Sequence, residues 1–402
     1  MAEIKVGLCV LMTNAFIENW TGSELYVRDV AFELIKRGHK PIVYSPRIGK
    51  LADELGNKSI PVVTDLDSIS VKPDLIHGQH HLETMTALSR FPGTPAIFFC
   101  HGWVPWEETP PFHPRITNYV TISDALHDRL VYEFGIPAEK IATIRNSVDL
   151  ERFRPRPPLP DIPKRALVFN NRISEVNILG IVREACARHN IVINVIGYES
   201  NNASFNPEAQ LGNYDIIFAV GRSAFESLAV GAAVICCSLE GVGQMVTTQN
   251  LEWQRNNNFG IRVLNQPLTV DILSAEIMRY DPLDAMSVSQ RVRATSGQSD
   301  MVDQILDIYK ISMCGFAEKY KQDLVAESIA FSSYLKEISV KVYHVVAEAN
   351  LAHERIRYLQ SKLDFIKGKA VRRLLKRIVR FSFVRDQYVK LITSIRHWCA
   401  CL

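Results

Sequence analysis

No stretch of the 402 residues approaches the roughly 20 consecutive apolar residues that a spanning helix needs. The longest run, around Ala229 to Cys237, has the length of a buried strand with the end of the preceding helix. No membrane-spanning helix is expected. Cysteine is sparse: the 8 residues are scattered at Cys9, Cys100, Cys186, Cys236, Cys237, Cys314, Cys399 and Cys401, with neither disulfide-scaffold spacing nor a CxxC pair. That usage fits a reducing cytoplasm. A secretory leader is also not expected, because Lys5 is followed directly by the strand-like run Val6 to Met12. What the chain does have is bulk. With 47% apolar and 22% charged residues it is too apolar for disorder and too long for one ordinary core, so two globular domains and something further are expected.

The net charge of +3 conceals an asymmetry. From Lys362 to the end there are eleven Lys and Arg against Asp364 and Asp386, giving +9, so the rest of the chain sums to −6. The excess of positive charge belongs to the tail, and no nucleic-acid partner is read from the balance.

The first third alternates short β-branched runs with helical periodicity, the order expected of a doubly wound α/β domain with a parallel sheet. Val6 to Met12, Pro41 to Tyr44, Leu75 to His77, Ala96 to Phe99, Tyr119 to Ile122 and Ile141 to Ile144 read as strands. Glu24 to Arg37 reads as a helix with Leu25, Val27, Val30, Ala31 and Leu34 on its apolar face, ending at Gly38. Five prolines between Pro155 and Pro163 exclude a helix interior or central strand and mark a boundary. A second, smaller alternation then begins with strand Ala166 to Phe169. It continues through helix Ile178 to Arg188, strands Val192 to Ile196 and Tyr214 to Val220, helix Ser223 to Val230 and strand Ala233 to Cys236. Helical patterns from Val270 to Met313 close it. The expected domains are thus residues 1–155 and 164–313, followed by a coiled-coil-like helix over 316–366 and a basic amphipathic tail over 367–402.

That helix is read from a 3,4 spacing held by Phe331, Leu335, Ile338, Val342, Val345, Ala349, Ala352, Ile356, Leu359, Leu363 and Ile366, a seam for self-association or for packing back on the two domains. In the tail, Arg372, Arg373, Lys376, Arg377 and Arg380 share a helical pattern with Val371, Leu374, Leu375, Ile378 and Val379, which suits an anionic bilayer surface. Cys399 to Leu402 formally match a prenylation box behind a polybasic stretch; a chance ending is the competing reading.

Two strand–loop–helix junctions offer unpaired N–H groups to an anion. At the first, Thr21, Gly22, Ser23 and Glu24 open a helix, with simple capping as the alternative. The second is stronger. Strand Tyr214 to Val220 runs into Gly221, Arg222 and Ser223, and Arg222 at the positive end of a helix dipole is poorly placed unless an anion sits there. A diphosphate would satisfy it, and Glu226, one turn on, suits two neighbouring sugar hydroxyls. His101 ends strand Ala96 to Phe99, where doubly wound folds bind ligands. Trp103, Trp106 and Glu107 follow in a proline-rich loop, the tryptophans serving either to stack on sugar faces or to pin the loop. His77, His80, His81 and Glu83 match no strong zinc spacing, so no metal is expected.

Taken in order, Thr21-Gly22-Ser23-Glu24, His101-Gly102, the run Ser123 to Leu130, Asn146-Ser147-Val148-Asp149 with Phe153 and Pro155, and Glu226 to Gly231 resemble glycosyltransferase family 4 over roughly residues 4–310. The resemblance implies the GT-B fold, two facing Rossmann-like domains, and a retaining transfer of a sugar from a nucleotide-diphospho-sugar, UDP- or GDP-linked, to a glycan or lipid-linked acceptor. It implies Gly22 and His101 at the transferring centre; Arg172, Gly221, Arg222, Ser223, Glu226, Gly243 and Gln244 around the donor; and an acceptor side near Trp103, Trp106 and Glu107. Cations and helix N-termini replace a metal, and no cofactor is required.

The sequence departs from that family pattern. Phe218 stands where the first of a glutamate pair is expected; Glu175, Val176 and Asn177 occupy the stretch of an expected lysine; Gln244 replaces a glutamate of a donor loop, Gly241 to Val246. Arg222 is the hypothesised substitute for the missing lysine charge. The leading expectation is a cytoplasmic glycosyltransferase docked on the inner membrane face by its tail, with a homo-oligomer through the helical seam. Its rivals are a catalytically silent GT-B scaffold or binding protein and a nucleotide-sugar epimerase.

Overall fold

A computed structural model describes residues 7–204, 206–319 and 323–365; the basic stretch 367–402, with its terminal cysteines, lies outside them. The chain separates into two compact units, residues 1–323 and 324–402.

The first unit begins with β1 (Cys9–Thr13), α1 (Gly22–Lys36), β2 (Lys40–Tyr44), α2 (Lys50–Gly56), β3 (Val62–Val63), β4 (Leu75–Gln79), α3 (His81–Arg90), β5 (Ala96–Cys100), β6 (Ile116–Thr121), α4 (Asp124–Tyr132) and β7 (Ile141–Thr143). These strands form one parallel sheet in the order β3-β2-β1-β4-β5-β6-β7. Every residue of β1, β4 and β5 is buried, as expected of strands covered on both faces by helices. Val27, Val30, Ala31 and Leu34 of α1 are sealed against this sheet. The order of connection reverses between β1 and β4, so a crevice opens beyond their carboxyl ends.

The proline-rich linker carries no helix or strand and is pinned by Arg156, which donates to Tyr214 O and Asp215. There follow β8 (Arg165–Phe169), α5 (Leu179–Arg188), β9 (Val192–Ile196), α6 (Glu208–Leu211), β10 (Ile216–Ala219), α7 (Gly221–Val230), β11 (Ala233–Ser238), β12 (Gly241–Met245), α8 (Leu251–Asn256), α9 (Val270–Ile277), α10 (Pro282–Thr295) and α11 (Gln298–Lys319). The second sheet has the order β12-β11-β10-β8-β9, parallel except at β12, and reverses between β8 and β10. Both sheets are of the doubly wound α/β kind expected from the sequence, and each has its own core.

Two features differ from the sequence reading. Gly241–Met245, read as part of a loop, is a strand antiparallel to β11. A Cβ on Gly243 would lie 2.7 Å from Val263 Cγ1, so only glycine lets the strand lie this close. The helical pattern read as closing the second domain divides: α9 and α10 stay with the second sheet, while α11 returns to the first. Met301, Val302, Ile305 and Tyr309 of α11 join the core under α1. A helical apolar stripe looks the same whichever sheet it covers, so periodicity could not assign it.

The second unit consists, among the described residues, of α12 (Leu324–Phe365). This one continuous helix carries the heptad positions from Phe331 to Leu359, of which Leu335, Val345 and Leu359 are exposed. Among the described residues no helix is long and apolar enough to cross a membrane.

Candidate active site

The carboxyl edge of the first sheet gathers neutral polar groups. Thr13 Oγ1 donates to Gln79 O at 2.9 Å and so ties the ends of β1 and β4 together. Beyond them His80 adopts φ +59°, and its Nδ1 accepts the Ala15 N–H at 2.9 Å. The next strand, β5, delivers His101, whose ring centroid lies 4.3 Å from that of Tyr26 on α1. His101 Nε2, Gln79 Oε1, Asn14 Oδ1 and Glu83 Oε2 are sealed from solvent and make no hydrogen bond. Buried polar atoms left in this state are costly, and a ligand hydroxyl is one way of satisfying them.

Electrostatics follow from that enclosure. Burial drives the His101 imidazole down to about 3, with nearby His80 adding to the effect. His80 falls to about 4, again by burial, with His81 beside it. Burial also lifts Glu83 to about 7 and Glu108 to about 8. Near neutrality this edge therefore presents uncharged imidazoles. His77 belongs to the core: it stacks on Phe99 at 3.7 Å, and its Nδ1 lies 2.5 Å from Tyr309 Oη of α11.

The loop into α1 is occupied by its own acid. Glu24 Oε1 accepts the N–H groups of Glu18 and Asn19 at 2.7 and 2.8 Å, and Oε2 accepts that of Thr21 at 3.1 Å. Capping thus explains this junction, while Gly22 presents open space to its own Cβ position. The two tryptophans of the following loop part company. Trp103 lies under the Arg129 guanidinium at 5.1 Å, whereas Trp106 meets the His81 ring edge-on at 4.5 Å. Glu107, which follows Trp106, is half-buried.

The second sheet's edge is built from charges. Arg172, after β8, pairs with Glu240 at 2.6 Å and remains about half exposed. Nearby, Asn177 Oδ1 accepts the N–H of Ser174 at 2.8 Å, so the stretch where a lysine is expected serves to fold the turn into α5. Gly221 opens α7 with φ +55°, its N–H donating to Phe259 O at 3.1 Å, and half-buried Ser223 follows Arg222. The Arg222 guanidinium bonds Glu226 Oε1 at 2.8 Å and reaches across to Asp29 Oδ2 of α1 at 2.6 Å. Burial alone would raise Asp29, but Arg222 and Arg28 outweigh it and hold the carboxyl below its usual range. Burial raises Glu226 in spite of Arg222, and Asp29 opposes its ionisation as well. Phe218 is fully buried in β10 between Val168 and Ile235. Gln244 is exposed on β12, and Gly243 is buried.

The structure thus brings Arg222, which also holds Glu226, onto Asp29 of α1, and His101 against Tyr26, one turn earlier on the same helix. Arg222 finds its anions in the protein itself. Sequence reasoning missed Asp29, Arg28 and Glu54, which with Trp20 form a chain: Trp20 Nε1 donates to Glu54 at 3.1 Å, Arg28 spans Glu54 and Asp29, and Asp29 meets Arg222. The only signal was two charged residues beside the apolar stripe of α1, which ordinarily means a solvated flank.

The sequence profile of Glycosyltransferase Family 4 matches residues 20–152. No curated protein sequence matches the chain. Among solved structures, a glycosyltransferase from Rickettsia africae ESF-5 is similar with a TM-score of 0.56 at 17% identity, over 76% of this chain and 99% of its own. HepE of Anabaena, solved in complex with UDP and glucose, gives 0.56 at 15% identity, over 75% and 99%. Sucrose-phosphate synthase from Thermosynechococcus elongatus gives 0.53 at 12% identity, over 77% and 100%. Residues 20–152 therefore match the profile of Glycosyltransferase Family 4, and the chain has the GT-B fold of these solved structures.

Proposed function

We propose that the protein transfers a sugar from a nucleotide-diphospho-sugar to a glycan or lipid-linked acceptor with retention of configuration. The observation that carries this reading is the pairing of two carboxyl edges at the reversals of their sheets, one neutral with unsatisfied polar atoms, the other lined by ion-paired guanidinium groups. In this reading the donor sugar lies toward His101 and Gly22, and its diphosphate toward Arg172, Gly221, Arg222 and Ser223. The ribose is held by Glu226, with Gly243 and Gln244 beyond it. Negative charge develops on the departing diphosphate, so guanidinium groups and the start of α7 lower the barrier without a metal. That HepE was solved with UDP and glucose supports a UDP-linked donor, GDP being the alternative base. The acceptor enters beside Trp103, Trp106 and Glu107.

Location and assembly belong to the same proposal. The basic stretch 367–402 holds the protein at the anionic inner face of the membrane, and α12 pairs copies through its heptad seam. Domains 1–155 and 164–313 then divide acceptor and donor binding, with α11 serving the first. Thermal-shift screening of UDP- and GDP-sugars, followed by product analysis with and without an acceptor, tests the reading. A donor that stabilises the fold and is consumed only with acceptor fits it; consumption of donor alone to an isomer points to an epimerase.

A second reading has an observation in its favour. Phe218 is core, and Arg222 is already neutralised by Asp29 and Glu226. A silent GT-B scaffold working through α12 would show calorimetric binding of UDP or GDP at most, and no transfer.

A further inference from the structure

Glu108 has no role in the site as described, yet it sits behind it. Its Oε2 accepts the His101 N–H at 2.7 Å, and the Gly102 amide bonds the same carboxyl. Its Oε1 lies 3.8 Å from His80 Nε2. Because His80 Nδ1 accepts the Ala15 N–H, the neutral ring carries its proton on Nε2, the atom that faces Glu108. His80 is held at φ +59°, a conformation that is strained for a residue with a Cβ and persists only where the surroundings impose it. Both side chains are buried. Two residues thus join three chain segments: the loop leaving β1 toward Gly22, the exit of β4, and the end of β5 that carries His101.

We infer that Glu108 and His80 are positioning residues for the transfer reaction: through His101 and Ala15 they set the distance between the loop bearing Gly22 and the unsatisfied His101 Nε2. Neither touches the reacting atoms. The inference rests on the glycosyltransferase reading, since it presumes that those two loops meet around the sugar. The other groups facing Glu108 are Glu107 on its own loop, Arg129 of α4 and Cys100, whose Sγ donates to Glu108 O at 3.6 Å; His81 faces His80.

The test uses conservative variants of the full chain. Glu108→Gln keeps an oxygen for the His101 amide but turns an amide N–H toward the His80 Nε2–H. His80→Asn keeps an acceptor for Ala15 but not the reach to Glu108, and His80→Gln keeps that reach. For Glu108→Gln and His80→Asn, kcat is expected to fall about tenfold or more with UDP affinity within about twofold of wild type, as for a displaced reacting group. His80→Gln should recover most of kcat, and the double variant should be no worse than the poorer single one. Wild-type turnover with these variants unchanged, or with kcat and UDP affinity falling together, overturns the inference and leaves the reaction intact. If wild type turns over no donor, the glycosyltransferase reading fails and hydrogen exchange decides the link by itself. His80→Asn must speed exchange in both 14–22 and 101–109; loosening of one alone refutes it.

Discussion

The two carboxyl edges solve the same topological problem with opposite chemistry. Off the first sheet the polar groups are neutral at pH 7, sealed, and left partly unsatisfied: His101, Gln79 and Asn14. Off the second they are charged and already satisfied by internal partners: Arg222 with Asp29 and Glu226, Arg172 with Glu240. Neutral groups with spare hydrogen-bonding capacity suit hydroxyls, which must be bound without ion pairing. Guanidinium groups suit phosphates, and in their absence a fold must supply substitute anions or bear an unpaired buried charge. The first edge is thus stressed by what it lacks, and the second is stable but pre-occupied.

That contrast can be broken most directly at Arg222. Arg222→Ala removes the cation from two buried carboxylates and should cost about 3 kcal/mol, measured by urea unfolding, together with most of the affinity for UDP. A loss under about 1 kcal/mol would mean that the second edge does not depend on its ion pairs. Asp29→Asn should separate the two roles of Arg222. Stability is expected to drop by about 2 kcal/mol, while UDP binds severalfold more tightly because one competing anion is gone; weaker binding in calorimetry would contradict pre-occupation.

The first edge should reveal itself through pH. His80 and His101, at about 4 and about 3 against an ordinary value near 6.5, hold fewer protons folded than unfolded. Their contribution is complete above pH 6.5 and is lost as pH falls, by about 3 kcal/mol for each imidazole at pH 4. Glu83 and Glu108, at about 7 and about 8, act in the opposite sense: their contribution is complete below about pH 4.5 and is lost as pH rises through 7 to 8. Unfolding free energy measured across this range should fall on both sides of a maximum near pH 6, and His101→Asn should flatten the acid side. The smallest effect is expected at Arg172. Its half-exposed pair with Glu240 contributes about 0.5 kcal/mol, so Arg172→Ala should unfold almost as wild type in urea while still binding UDP more weakly.

Much of this molecule was legible in advance. Strands such as β5 and β10 are short apolar runs bounded by turn residues, and α7 ends at Gly231 with φ +100°, where glycine is the least strained choice. Positions at strand ends, His101 and Arg222 among them, stood out because doubly wound folds place ligands there. Asp29, Glu108 and the displaced helix α11 did not stand out. Asp29 and Arg222 are 193 residues apart, and nothing in either neighbourhood marks the other. Glu108 looked like one of two adjacent acids in a proline-rich loop, and only the fold turns its carboxylate onto the backbone of His101.

The residue pattern by itself determined the α/β class, two sheets with a proline-rich break between them, and a long heptad helix after them. These follow from periodicity and from the backbone limits of proline and glycine, which act locally. Only the tertiary structure decided that Arg222 is neutralised across the two sheets, that β12 is a strand, and which imidazoles are sealed. Burial and ion pairing depend on which distant surfaces meet, and a desolvated charge or imidazole takes its properties from those neighbours rather than from its place in the chain.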